Sequence, residues 1–149
     1  MRRVSAADHE PARARELSRS GEPPWALGRL GEELAEAHLA RLGFRTLARN
    51  VRTREGEIDL IAFDGRTLVF AEVKTRRAVR REDRVRAGDE PLCRLRRSQQ
   101  LRLRRLAVAW LSDERRSRPT VRTIRFDAVG VTVDRDGRLL RLEHLEAAW

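Results

Sequence analysis

Apolar residues along this chain keep two alternating rhythms. From Trp25 to Leu42, Leu27, Leu30, Leu34 and Leu42 recur at helical spacing, and Gly43 stands where a glycine ends a helix. Phe44 to Val51 then reads as a strand. Gly56 to Ala62 and Leu68 to Lys74 are short runs rich in β-branched and aromatic residues, joined by Asp64-Gly65, a strong hairpin signal. The helical period returns over Leu95 to Leu111, where Leu95, Leu103, Leu106 and Trp110 form a stripe that also contains Gln99. Thr120 to Asp134 alternates again and reads as one bent strand or two. Asp136-Gly137 turns the chain into a strand over Leu139 to Leu142, and a short tail helix is expected after it.

The predicted order is α-β-β-β-α-β-β, an α/β arrangement with a mixed sheet of about five strands flanked by helices. Residues 1–24 are rich in Arg, Glu, Ser and Ala, lack an apolar stripe and close on Pro23-Pro24. They are expected to be a disordered basic tail ahead of a single domain over 25–149. Arg76 to Glu90 shows no periodicity and reads as a mobile loop.

Charged residues interrupt this pattern in one place. On the strand ending in Glu72-Val73-Lys74, side chains alternate, so Glu72 and Lys74 share a face. The preceding strand carries Glu57 and Asp59, again sharing a face, so the hairpin brings Asp59 beside Glu72 and Lys74. Two carboxylates about 4 Å apart repel by about 4 kcal/mol at an effective dielectric of about 20. A divalent cation turns that repulsion into coordination, and all-oxygen ligands suit Mg²⁺ or Mn²⁺. On the first helix Glu32 borders the buried side, with Gly28 and Ala35 about one turn away in either direction.

Of 33 Lys and Arg residues, Lys74 is the single lysine. Arg is a planar, permanently charged fork, whereas Lys is a compact charge whose proton can be moved. A site that needs a small ammonium there would reject the fork. The formal net charge of +10 and pI near 11.5 point to a polyanionic partner, with nucleic acid first and an anionic membrane surface as the rival. Arg96, Arg97, Arg104 and Arg105 on the second helix, with Arg76 and Arg77 after Lys74, are the candidate phosphate contacts. No run approaches the roughly 18 apolar residues of a membrane-spanning helix, and no signal-peptide pattern is present. The lone Cys93 has no partner for an internal disulfide, so a reducing cytoplasm is the expected setting, and homodimer formation is left open.

The stretches GRLGEELAEAHLARLGFRTLARN, GEIDLIAFDG and LVFAEVKTR resemble the bacterial YraN-like family, over about Leu27 to Val131. The set Glu32, Asp59 and Glu72-x-Lys74 resembles the PD-(D/E)xK nuclease superfamily, with its restriction-endonuclease-like fold. It is more distantly similar to archaeal Holliday-junction resolvases. That resemblance implies metal binding by Asp59 and Glu72, with the Val73 carbonyl, and a catalytic role for Lys74 completed by Glu32. It gives Glu57, Gln99 and Gln100 supporting places. It also implies a Mg²⁺- or Mn²⁺-dependent nuclease acting on branched or single-stranded DNA. The alternative is a nucleic-acid-binding protein of the same fold with weak or no hydrolysis.

Overall fold

The computed structural model describes residues 2–5, 23–78, 91–117 and 119–149. Its elements are β1 (Arg2–Ser5), α1 (Pro24–Arg41), β2 (Arg45–Thr53), β3 (Gly56–Phe63), β4 (Thr67–Arg77), α2 (Arg97–Ser112), β5 (Thr123–Val133) and β6 (Leu139–Glu146). A short 3-10 turn, Pro91–Arg94, precedes α2. The strands form one six-stranded mixed sheet in the order β1-β6-β5-β4-β3-β2. Among the described strands only β4 and β5 run parallel, and that pairing is what α2 makes possible by carrying the chain back across the sheet.

The helices cover opposite faces. Ala35 and Leu39 of α1 pack on Leu60, Ala62, Val69, Ala71, Val73 and Val129. Leu103, Leu106 and Trp110 of α2 pack on Ile58, Ile61, Phe63, Leu68 and Phe70. On β4 the odd positions therefore face α1, and the even positions, including Glu72 and Lys74, face α2. The α1 helix stops where expected: Gly43 takes φ 91°, a left-handed conformation that glycine adopts without a Cβ penalty.

The expected α/β arrangement of a mixed sheet flanked by helices holds, and several details are corrected. The sheet gains a sixth strand because Arg2–Ser5, within the expected tail, pairs antiparallel with β6, a long-range match invisible to local periodicity. The rest of that tail, 6–22, lies outside the described residues. Thr123–Val133 is one strand. No tail helix follows, because β6 runs on to Glu146 with Leu142, Glu143 and His144 buried. The chain then turns at Ala147, and Trp149 stacks on Phe126 with centroids 6.3 Å apart. Arg76 and Arg77 belong to β4 rather than to a loop, since the ladder with β5 extends to Arg77 opposite Val133. The remainder of the expected loop, 79–90, lies outside the described residues. Among the described residues, no helix is long and apolar enough to cross a membrane.

One contact sets the depth of α1 on the sheet. A Cβ added to Gly31 would stand 1.7 Å from Thr75 Oγ1 on β4. Gly31→Ala is expected to lower stability by about 1–3 kcal/mol, as overpacking does, because α1 must lift off β4. Thr75→Ala in the same chain should restore part of that loss, and urea unfolding of the two single variants and the double variant checks both expectations.

Candidate functional site

The sheet opens at its centre. β3 and β4 pair from Phe63 with Leu68 as far as Leu60 with Ala71, and their ladder stops there. Beyond it β3 continues beside β2 to Gly56, while β4 continues beside β5 to Arg77, so the two strands part into a fork. At the crotch the Val73 amide donates to the Asp59 carboxylate at 2.7 Å, in place of a strand partner. The strict alternation expected along β3 fails at this residue. Ile58 joins the α2 cluster, whereas Leu60 and Ala62 join the α1 cluster. Opposite the break, between the pairs Arg49–Leu60 and Val51–Ile58, Asn50 takes φ 49°, a conformation that Asn tolerates better than most residues.

Asp59 therefore reaches groups from three elements. Burial, then repulsion from Glu72, pushes its carboxyl up to about 7, against the opposing pull of the Val73 amide and Lys74. Glu72 is 3% exposed, and its Oε1 accepts from Lys74 Nζ at 2.6 Å. Arg102 Nη2 stands 3.6 Å from the same oxygen. From α1, Glu32 faces the fork. Burial raises its carboxyl above the usual range, a hydrogen bond from Asn50 opposes this, and the charge of Glu57 adds to the rise. Glu57 also pairs with Arg52 at 3.4 Å.

Together Glu32, Glu57, Asp59, Glu72, Lys74 and Arg102 line a cleft of about 430 Å³, with Gly28 and Thr75 at its α1 wall. The sequence-predicted set Glu32, Asp59, Glu72 and Lys74 thus converges, with Val73 and Glu57 beside it. Gln99 and Gln100 do not join. Gln99 Oε1 accepts from the Arg96 amide at 2.9 Å, so this residue ties off the start of α2. Arg96, Arg97, Arg104 and Arg105 are exposed on α2, with Arg104 over the Phe126 ring and Arg105 3.8 Å from Glu55. Arg77 donates to the carbonyls of Asp134 and Arg135, bracing the turn between β5 and β6. Arg76 keeps Nε and Nη2 buried with no hydrogen-bond partner among the described residues.

Two polar residues that bear on the cleft were missed, Arg102 on its wall and Asn50, which hydrogen-bonds Glu32. Arg102 flanks the apolar stripe, three residues from Gln99 and one from Leu103, and in so arginine-rich a helix nothing marks it out. Asn50 carried one signal, since Asn accepts the left-handed conformation. Among the described residues, no three carboxylate, imidazole or thiol groups stand close enough to enclose a metal ion. The donors that do meet, Asp59 and Glu72, are hard oxygens, and Asp59 is an acid made uncomfortable as an anion by its burial and then by Glu72. That chemistry fits a hard, largely hydrated cation held by one or two carboxylates.

The model of the Uncharacterised protein family UPF0102 matches residues 31–131, a span that includes Glu32, Asp59, Glu72, Lys74 and Arg102. The chain belongs to the UPF0102 family. The YraN-like resemblance is borne out to that extent. A UPF0102 protein of Acidothermus cellulolyticus is 46% identical over 113 residues, covering 71% of this chain and 80% of its own length. One from a Parafrankia strain is 44% identical over 123 residues, covering 83% and 95%. A UPF0102 protein of Chlorobaculum tepidum is 38% identical over 131 residues, covering 85% and 93%. These UPF0102 relatives are matched over most of their length, and the cleft residues from Glu32 to Arg102 lie within the span that the family model matches.

Proposed function

We propose that this UPF0102 protein is a metal-dependent nuclease that hydrolyses phosphodiester bonds in branched or single-stranded DNA, built on a PD-(D/E)xK-type site. The observation that carries the reading is the convergence of Glu32, Asp59, Glu72 and Lys74 in one cleft, with Asp59 pushed up to about 7. An acid set that repels itself is poised to receive a cation.

Asp59 and Glu72, with the Val73 carbonyl, would hold one Mg²⁺ or Mn²⁺ and leave its other positions to water. When bound, the cation supplies Lewis-acid charge for the scissile phosphate and lowers the pKa of water. Lys74, fixed by Glu72, aims an ammonium into the cleft, where it orients the attacking water or balances charge on the phosphate. Arg102 adds a second cation from α2, and Glu32 is suited to exchange a proton at the α1 wall. The exposed arginines of α2 hold flanking phosphates without reading sequence. Action on DNA places the protein in the cytoplasm.

One observation favours the second reading, a nucleic-acid-binding member of the same fold without hydrolysis. Glu72 Oε1 is already taken by Lys74, and no three-ligand group encloses a cation among the described residues. A panel of duplex, single strand, flap and four-way junction, incubated with Mg²⁺, Mn²⁺ or chelator, separates the two. Metal-dependent cutting of the flap, junction or single strand is expected. Binding without cutting on every substrate would leave the second reading standing.

A further inference from the structure

Trp25 is 64% exposed at the start of α1, although a tryptophan is among the largest apolar groups a fold can bury. Its indole has no ring, cation or hydrogen-bond partner among the described residues. Seven helical residues make nearly two full turns, so Trp25 lies within about 20° of Glu32 around the helix and about 10 Å from it along the axis. Between them on the same side is Gly28, where an added Cβ would meet nothing within 4 Å. Leu27, Gly28 and Glu32 line the cleft. The α1 wall therefore runs from Glu32 across a bare patch at Gly28 to an exposed aromatic plate.

We infer that Trp25 is a stacking platform for an unpaired base of the strand whose backbone enters the cleft. The inference rests on the reading of that cleft as a phosphodiester site, and it names the substrate class: a strand with unpaired bases next to the phosphate being held. A basic groove beside an exposed aromatic is how proteins hold single strands, with charge tracking the backbone and a ring face taking the base. At the cleft itself Lys74 and Arg102 supply positive charge, and a bound cation would offset Glu32, Glu57, Asp59 and Glu72. Gly28 leaves room for a sugar to pass between the plate and Glu32. A paired base has its faces covered by its neighbours in the stack, so a blunt duplex gains nothing from Trp25.

The test measures binding in Ca²⁺ without Mg²⁺ or Mn²⁺, so that the acid set can take a hard cation while no cutting is needed. Wild type, Trp25→Ala and Trp25→Phe are titrated against a fluorescent oligothymidylate and against a blunt duplex of equal length. Because Trp25 is exposed, its loss leaves the core intact. Trp25→Ala is expected to weaken single-strand binding by on the order of ten- to a hundred-fold, with the duplex nearly unchanged. Trp25→Phe should recover most of the loss, because it restores a ring face. Equal single-strand affinity for wild type and Trp25→Ala would overturn the inference, and so would equal weakening on both DNAs. A protein that cuts none of the panel yet loses single-strand binding with Trp25→Ala supports the platform while ending the nuclease reading. Cutting that persists with unchanged Trp25→Ala binding does the reverse.

Discussion

Lys74→Arg is expected to slow single-turnover cleavage by about 100-fold or more while changing DNA affinity only slightly. Charge is kept in this swap, so a purely electrostatic role would tolerate it. The geometry would not. Lys74 Nζ sits 2.6 Å from Glu72 Oε1, on a side chain that is 30% exposed, with Arg102 3.6 Å from the same oxygen. A guanidinium is longer and planar, and it holds its proton too firmly to exchange it. It would press toward Arg102 and lift Glu72 from the fork. The measurement pairs a single-turnover rate with a binding titration. Wild-type cutting by Lys74→Arg would mean that the chain's single lysine carries no catalytic weight.

Asp59→Asn is expected to abolish cleavage and yet make the folded protein more stable at pH 8, by up to about 4 kcal/mol. The native carboxyl titrates at about 7 against a reference of 3.8, mainly through burial and then Glu72. Between these values the folded chain holds a proton that the unfolded chain releases. The contribution of Asp59 to stability is therefore fully present below about pH 4, falls as pH rises through that window, and is level above about pH 7. An amide oxygen can still accept from the Val73 amide, so the substitution removes the charge without orphaning the donor. Urea midpoints at pH 4, 6 and 8 should separate wild type from variant increasingly with pH. Added Mg²⁺ should narrow the gap at pH 8 by stabilising wild type alone. Parallel curves for the two proteins would show that the carboxylate is not strained.

Most of the layer order and the E-x-K face were legible because they rest on local rules. Asp64-Gly65 turned the hairpin, and alternation on β4 put Glu72 with Lys74 toward one helix. The same alternation failed at Asp59, where Ile58 and Leu60 face opposite helices, because a left-handed Asn50 on the neighbouring strand interrupts the pleat. No periodicity along β3 reports an irregularity on β2. Arg102 was hidden by composition, one arginine among many on α2. The chain of half-buried Arg125 and buried Asp127, His144 and His38 was equally illegible. Asp127 accepts from Arg125 at 2.8 Å and from the Ala147 amide at 3.1 Å, and lies 2.8 Å from His144 Nε2, while His144 lies 3.2 Å from His38. Its members come from α1, β5 and β6, and their pairing depends on how distant elements dock.

The fork between β3 and β4 also bears on how the protein stays out of trouble with its own kind. Where two strands of a sheet part, the unpaired main chain between them is an edge in the middle of the sheet, able to accept a strand from another molecule. Asp59 closes that seam. Its carboxylate occupies the Val73 amide, the first donor an incoming strand would need, and Glu72 and Glu32 add charge at the entrance. The residues that make the cleft chemically useful thus double as gatekeepers against strand addition, so a variant emptied of its acids exposes a sticky seam at the heart of the sheet.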